Sequence, residues 1–297
     1  VRLDLVLIAR HPELSRRRAR DVIEKGQVTL SGATVTEPGL DVAPDADVAW
    51  DPNRRAVRRA RLSLPILYAD DSVLVLDKPA GLLSVASSPG LDDEDTALAR
   101  VKEYARHRDP RRAYAGVVHR LDRDTSGALA FALSPEARGA LRAMFREHAL
   151  DRRYLALVKG APRQDRGRIS LPIAEAYEGG RRRIARPGEA ARDAVTHWTV
   201  RERLEGAALL ELRLETGRQH QIRLHLAHEG WPIVGDPVYG AGARGSVRVN
   251  RQMLHAWLLA FDHPLTGAPV RAESPLPEDF GRALDALRAT GRGSRRR

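Results

Sequence analysis

Apolar positions along the chain switch between a helical and an alternating period, and the switches mark the elements. Leu3, Leu5, Val6 and Ile8 predict a first short helix, ended near His11-Pro12 because proline brings no amide to continue it. Ser15 is a good N-cap for a second helix with Ala19, Val22 and Ile23 at helical spacing and Gly26 at its end. Val28-Thr29-Leu30 and Ala33-Thr34-Val35 then flank Ser31-Gly32, the pattern of a two-residue hairpin. Further on, Val73-Leu74-Val75-Leu76 reads as a buried strand, followed by a turn at Lys78-Pro79-Ala80-Gly81 and a polar, acidic loop around Ser87 to Asp95. A helix is expected from Thr96 to Arg106. A second one starts at Ser134-Pro135-Glu136, with Ala137, Ala140, Leu141, Met144 and Phe145 as its apolar face. Strands are expected at 128–133, 154–158, 195–200 and 208–214, and a helix at about 219–229, closed by Gly230.

These elements lack a regular βαβ rhythm. The expected class is therefore α+β, a mixed and largely antiparallel sheet with flanking helices. The expected division is a small module over 1–50, a basic linker over 51–61 carrying Arg54, Arg55, Arg58, Arg59 and Arg61, a main domain over 62–287, and an Arg-rich disordered tail over 288–297.

Composition narrows the picture. Hydrophobic residues make up 42%, enough for a packed core rather than a disordered chain. No apolar run approaches the roughly 18–20 residues that span a bilayer, and no signal-peptide pattern opens the chain. With no cysteine, neither disulfides nor thiolate metal sites are available, and a cytoplasmic, monomeric protein is expected. The formal charge of +11 points to a polyanionic partner, above all nucleic acid. Only Lys25, Lys78, Lys102 and Lys159 are lysines among 50 basic residues; codon bias explains arginine over lysine but not the excess of basic over acidic groups. In the second predicted helix Arg16, Arg17, Arg18, Arg20 and Lys25 face only Asp21 and Glu24, either a solvated surface or a contact for phosphates.

Several chemistries lack their motifs. There is no glycine-rich dinucleotide or phosphate loop and no serine elbow before a helix. His220, His225 and His228, spaced by five and then three, scatter around a helix instead of forming a metal face, so no metal is expected. The stretch from His119 to Gly127 is different. Between two apolar strand candidates it gathers His119, Arg120, Asp122, Arg123, Asp124, Thr125 and Ser126. By itself this is a turn capped by its own side chains, or an active-site loop, and spacing does not separate Asp122 from Asp124.

As a connected phrase, His119 to Gly127 resembles the signature of the RluA-type pseudouridine synthases. Five more motifs follow the family's order between about 66 and 280: Lys78-Pro79-Ala80-Gly81-Leu82; Arg153 to Gly160, with Tyr154; Thr216-Gly217-Arg218-Gln219-His220-Gln221-Ile222-Arg223; Gly235 to Gly240; and Leu254-His255-Ala256 with His263-Pro264. The N-terminal arrangement of helix, basic helix, glycine and hairpin resembles the alpha-L RNA-binding motif of ribosomal protein S-four. There the basic helix and following loop meet phosphates, which implies RNA contacts for Arg16, Arg17, Arg20 and Lys25.

The resemblance implies a pseudouridine synthase fold and isomerisation of uridine: the bond from ribose C1′ to N1 breaks, the uracil turns, and it rejoins through C5. Nothing is oxidised or hydrolysed, so no cofactor is implied. It implies Asp122 as the catalytic carboxylate, acting on sugar or base or assisting a glycal-type route. Arg223 is implied as the cation that keeps Asp122 ionised and oriented, and Tyr154 as the ring that stacks on uracil and takes part in removing the C5 proton. Because the nucleotide must leave its stack, Arg120 is implied to fill the vacated place, with Arg123 beside it on the RNA. The resemblance implies Lys78, Pro79, Gly81, Thr125, Gly127, Gly217, Arg218 and His220 as structural motif positions.

The RNA implied is structured, with large-subunit ribosomal RNA favoured by the N-terminal module and by Arg123-Asp124-Thr125-Ser126. Leu83-Ser84-Val85 departs toward the small-substrate branch of the family, which keeps transfer RNA as the alternative. A noncatalytic RNA-binding or ribosome-assembly factor and a carboxylate-based glycosidase are the competing functions.

Overall fold

In a computed structural model the described residues are 1–54, 64–86, 95–179, 181–240 and 247–294. Most of the expected basic linker and the acidic loop, at 55–63 and 87–94, therefore lie outside them. The chain divides into two compact units, Val1–Ser63 and Leu64–Arg297.

The first unit opens with α1 (Leu3–Arg10) and α2 (Arg16–Glu24), then β1 (Val28–Leu30), β2 (Ala33–Val35) and β3 (Val48–Trp50). Ser15 caps α2 as expected, its hydroxyl accepting from the Arg18 amide at 3.2 Å. Gly26 at φ 68° carries the chain out of the helix. Ser31 and Gly32, at φ 49° and 83°, make the tight turn that pairs Val28 with Val35. β3 was not anticipated. It adds to the other edge of β1, placing Trp50 opposite Val28. Leu3, Leu7, Ala19, Val22, Ile23 and Val28 form a fully buried core, which leaves the arginines of α2 outside.

The second unit runs β4 (Ile66–Ala69), β5 (Val73–Lys78), α3 (Ala97–Arg108), β6 (Gly116–Val117), β7 (Ser126–Ala132), α4 (Pro135–Glu147), β8 (Asp151–Lys159), β9 (Arg166–Ser170), β10 (Ile173–Ala174) and β11 (Ala191–Arg192). It continues with β12 (Val195–Leu204), β13 (Ala207–Leu214), α5 (Gln221–His228), β14 (Leu254–Asp262), β15 (Pro269–Glu273) and α6 (Glu278–Ser294). The large sheet has the order β4-β5-β7-β14-β8-β13-β12-β9, with β15 on β14 and β6 on β7. Its pairs are antiparallel except β7 with β14.

β5 and β7 are buried on both faces, which explains their unbroken apolar runs. Leu74, Leu76, Leu129 and Phe131 belong to the larger core, together with Val101 of α3 and Phe280, Leu284 and Leu287 of α6. Val73, Val75, Ala128 and Ala130 belong to a second core with Ala137 and Leu141 of α4.

The expected disordered tail is corrected here: the chain stays helical from Glu278 to Ser294, while 295–297 lie outside the described residues. Leu284 and Leu287 anchor the helix in the core, and Arg288 pairs with Glu202 of β12 at 2.7 Å. An arginine-rich composition had masked an amphipathic helix.

The parallel pair is short and tight. Ser126 lies opposite His255 and Gly127 opposite Ala256; His255 in turn lies opposite Leu155 of β8. The C-terminal end of the polar loop and the middle of β8 are thus at one level of the sheet. Gly127 has φ 117°, and a Cβ there would come within 2.2 Å of the Ala256 carbonyl oxygen. Gly127→Ala should cost about 3 kcal/mol or more, the sum of a disfavoured backbone and an overpacked strand pair. Chemical denaturation measures this, and an unchanged midpoint would show that the two strands can separate without loss.

Candidate active site

The polar stretch 119–125 is a loop entering β7, and its backbone is held from several sides. The Lys78 side chain at the end of β5 is completely buried. Its ammonium donates to the carbonyls of Pro79, Leu82 and Arg123 at 2.9, 2.8 and 2.8 Å, joining the two motif loops. Burial pushes this ammonium down to about 7, against the pull of Asp124 and Asp122. The turn it organises needs Gly81, at φ 84°, whose amide also donates to the Arg123 carbonyl. Pro79 lends a carbonyl to the same ammonium. Ser84 grips Leu121 twice, donating to its carbonyl at 2.7 Å and accepting from its amide at 3.0 Å. Arg251 donates to the Asp124 carbonyl and Gln252 to the Thr125 hydroxyl.

At the start of the loop His119 accepts the Ala130 amide at 2.9 Å through Nε2 and stacks on Phe145. At its end Ser126 bonds His255 at 3.0 Å. The backbone is over-determined, and the loop side chains divide by direction.

Asp122 is the one held toward the interior. Its carboxylate pairs with Nη1 of Arg223 at 3.0 Å. Arg223 lies on the first turn of α5 and is itself buried; its Nε and Nη2 form a two-pronged pair with Asp236 at 2.7 and 2.9 Å. Asp236 is fixed by the amides of Val238 and Tyr239 at 2.8 and 3.0 Å. Burial works against the Arg223 charge, but Asp236 and then Asp122 overcome it and hold the guanidinium above its ordinary value. Burial likewise opposes the Asp236 charge, and Arg223 with the two amides holds it below the usual carboxylate range.

His220 occupies the left-handed N-cap of α5, 3.9 Å from Asp122, and bonds the Tyr239 hydroxyl at 3.1 Å. Burial pushes it below its ordinary value. Ahead of it, Thr216 and the Arg218 amide share the Gln221 side chain, a closed turn that sets the start of α5. Gly217 lies within this turn. The Arg218 side chain reaches the Asp193 carbonyl.

Tyr154, in the middle of β8, is 7% exposed. Burial pushes its phenol up, with Arg152 opposing the rise and Asp122 adding to it, so the hydroxyl keeps its proton at neutral pH. Asp124 instead pairs with Arg123 at 3.1 Å, away from Arg223. Arg120 is exposed at the edge of the loop, with no hydrogen-bond or ion-pair partner among the described residues.

The site therefore joins Asp122, Arg223 and Tyr154, three residues singled out from sequence. Asp236 and Tyr239 were quoted within a motif but given no role; a carboxylate two and three residues ahead of the amides that fix it was the available signal. Arg152 was missed altogether. The RNA-contact candidates of α2 lie in the other unit. Arg16, Arg17 and Arg20 are exposed there, while Lys25 pairs with Asp21 at 3.1 Å. Among the described residues no group of histidines and carboxylates is arranged to hold a metal ion, and no helix is long and apolar enough to cross a membrane. His225 bonds Thr196 and the Leu171 carbonyl.

A carboxylate tied to a buried guanidinium, with a buried tyrosine close enough to feel its charge, stands on a mixed sheet. The chain belongs to the RNA pseudouridylate synthase family, whose model matches residues 72–228, and it carries an S4 domain at 1–48. It is 40% identical over 305 residues to the ribosomal large subunit pseudouridine synthase D of Xanthomonas campestris, covering 97% of this chain and 89% of that one. To the protein of the same name from Pseudomonas aeruginosa it is 37% identical, covering 97% and 92%. The solved structure of human RNA pseudouridylate synthase domain containing 4 shares the fold, with TM-score 0.63 at 24% identity over 75% of this chain and 93% of that one. The resemblance, the fold class and the isomerase activity expected from sequence are borne out.

His119 generates a pH prediction. Burial, aided by the Arg152 charge, pushes it down to about 3 from 6.5. The folded state refuses a proton that the unfolded chain accepts. Stability is therefore full above about pH 6.5 and is lost as pH falls toward 3, by about 2 kcal/mol at pH 5 from this residue. His119→Gln, which keeps an acceptor but does not titrate, should flatten the acid limb in denaturant titrations between pH 7 and 4.5. An identical slope in the variant would remove His119 from the account.

Proposed function

We propose that this chain isomerises uridine to pseudouridine in structured large-subunit ribosomal RNA, in the cytoplasm, with Asp122 as the catalytic carboxylate. The observation that carries the reading is the 3.0 Å pair between Asp122 and a buried Arg223 that Asp236 holds from behind. The Asp122 side chain is 25% exposed, so its carboxylate can reach the ribose or base of a flipped nucleotide. Arg223 orients it. Tyr154 offers a ring for uracil to stack on, with a protonated hydroxyl near C5. Asp124 is turned to Arg123 and does not share the Arg223 charge, which favours Asp122 over it. Arg120, an exposed cation two residues before Asp122 with no partner among the described residues, is suited to the gap left by the flipped base.

Residues 1–50 serve docking. Arg16, Arg17 and Arg20 supply contacts to phosphates, and Lys25 adds charge beside them. Ribosomal RNA is favoured over transfer RNA by the relatives from Xanthomonas campestris and Pseudomonas aeruginosa, whose names assign them to the large ribosomal subunit.

Two outcomes test the division of labour. Pseudouridines mapped in total RNA with and without this gene should differ at one or more large-subunit sites. Asp122→Asn should restore none of them while its protein still binds RNA; restoration by that variant would reject Asp122, and a lost transfer RNA site would redirect the substrate. Neutralising Arg16, Arg17 and Arg20 together should weaken RNA binding and lower the slope of log affinity against log salt by about 3. The rate at saturating RNA should stay within about threefold of the parent, since phosphate contacts position the substrate rather than react with it.

A further inference from the structure

Among the described residues, buried arginines have carboxylate partners, with one exception. Arg223 pairs with Asp236 and Asp122, and Arg251 with Asp279 at 2.6 and 2.8 Å. Arg152 of β8 is as deeply placed, 7% exposed, yet its Nε and Nη2 have no hydrogen-bond partner. No carboxylate pairs with it among the described residues. Burial pushes the guanidinium below its ordinary value, and only the Tyr154 phenol opposes this. A buried cation with unmade hydrogen bonds costs folding free energy, and such groups persist where a ligand completes them.

Its position says which ligand. Arg152 and Tyr154 are two residues apart on one strand and share a face. Tyr154 feels Asp122 and Arg152 both, whereas Asp122 is not among the charges that act on Arg152. The tyrosine is thus near both the carboxylate and the lone cation, while those two do not act on each other. On its other sides the guanidinium meets the Phe145 ring, 5.4 Å to the centroid, and the Gly217 turn. A Cβ at residue 217 would come within 2.9 Å of Nη1, although the backbone there is not in the left-handed region. Glycine at 217, within the turn that starts α5, thus also leaves room for the guanidinium.

A nucleotide stacked on Tyr154 with its glycosidic bond at Asp122 carries its formal charge at the phosphates, beyond the ring. Uracil and ribose offer acceptors but no charge. Arg223 is already fully engaged. We infer that Arg152 is a binding residue for a backbone phosphate flanking the target uridine, the anion that completes this buried cation and positions the nucleotide over Tyr154. The inference rests on the reading of the chain as a uridine isomerase acting on RNA. A guanidinium suits the task, since it presents a planar fork to two phosphate oxygens.

The test uses the full-length protein and a short ribosomal RNA fragment centred on the uridine identified by the deletion map. The fragment is made unmodified and with a neutral methylphosphonate at the linkage on either side of that uridine. For the parent, one of the two neutral linkages should raise Kd about tenfold, the loss of a charge-assisted contact. Arg152→Met should bind the unmodified fragment about tenfold more weakly and be indifferent to that same linkage. Its thermal midpoint should be equal or higher, because an unpaired buried charge has been removed. If Arg152→Met does not fold, Arg152→Gln is measured in the same series.

Indifference of the parent to both neutral linkages overturns the assignment. So does a foldable variant that remains as sensitive as the parent, or one that loses only the saturated rate. If the parent forms no pseudouridine on the unmodified fragment, the isomerase reading fails. Turnover without phosphate sensitivity fails Arg152 alone.

Discussion

One buried guanidinium organises the catalytic unit. Arg223 is almost wholly removed from water, and a charge so placed is tolerable only with partners of excellent geometry. Asp236 supplies two hydrogen bonds from a turn 13 residues further along, and Asp122 supplies a third from a loop 101 residues earlier. Removing one partner from such a pair typically costs about 3–5 kcal/mol, so the three segments are strongly coupled in the folded state. The coupling has a direction. Asp236 is locked by two amides and has no exposed surface, whereas Asp122 keeps a quarter of its side chain open. The charge is anchored at the back and presented at the front.

Presentation also requires that the Asp122 loop itself not move. Its carbonyls at Leu121, Arg123 and Asp124 are taken by Ser84, Lys78 and Arg251, from three separate parts of the chain. The ammonium of Lys78 is notable in using its donors entirely on backbone. A lysine in the dry interior is costly, and three carbonyl oxygens from two loops are what make it acceptable. With the backbone spent on these bonds, the side chains of the same loop are free to differ: Asp122 turns in to a cation, Asp124 turns out to Arg123, and Arg120 has no partner among the described residues. Preorganisation of this kind places a reacting group without reorganisation at the moment of reaction.

What was legible in the sequence follows from which interactions are local. Ser15, Gly26 and Ser31-Gly32 act within a few residues of themselves, and the elements they bound were read correctly. Asp122, Tyr154 and Arg223 were legible because they recur as phrases in a family, although they are distant in the chain. Asp236 was quoted without a role because its task depends on a residue 13 positions back, across a helix end. β14 was taken as a motif and not as a strand: Leu254 and Ala256 belong to one core and Leu259 and Phe261 to the other, so it is buried on both faces and shows no alternation. α6 was hidden by its arginines, since Phe280, Leu284 and Leu287 lie on one stripe that charge content alone does not reveal. Arg152 could not have been found, because the absence of a partner is a fact about three dimensions.

These arginines sort into two kinds by environment, and the sorting bears on how a chain of charge +11 can be both adherent and selective. Exposed arginines such as Arg16, Arg17 and Arg20 act through a field that salt screens over about 8–10 Å, so they gather any polyanion and distinguish little. Buried ones are shielded from salt and hold their partners by direction. Arg223 has its carboxylates already and is committed to orienting Asp122. Arg152, without a carboxylate partner among the described residues, is the cation we assign to a phosphate of the nucleotide. Recognition of the flipped nucleotide then draws on an unmet interaction inside the protein, and it is favourable only when ring, carboxylate and phosphate are all in position together.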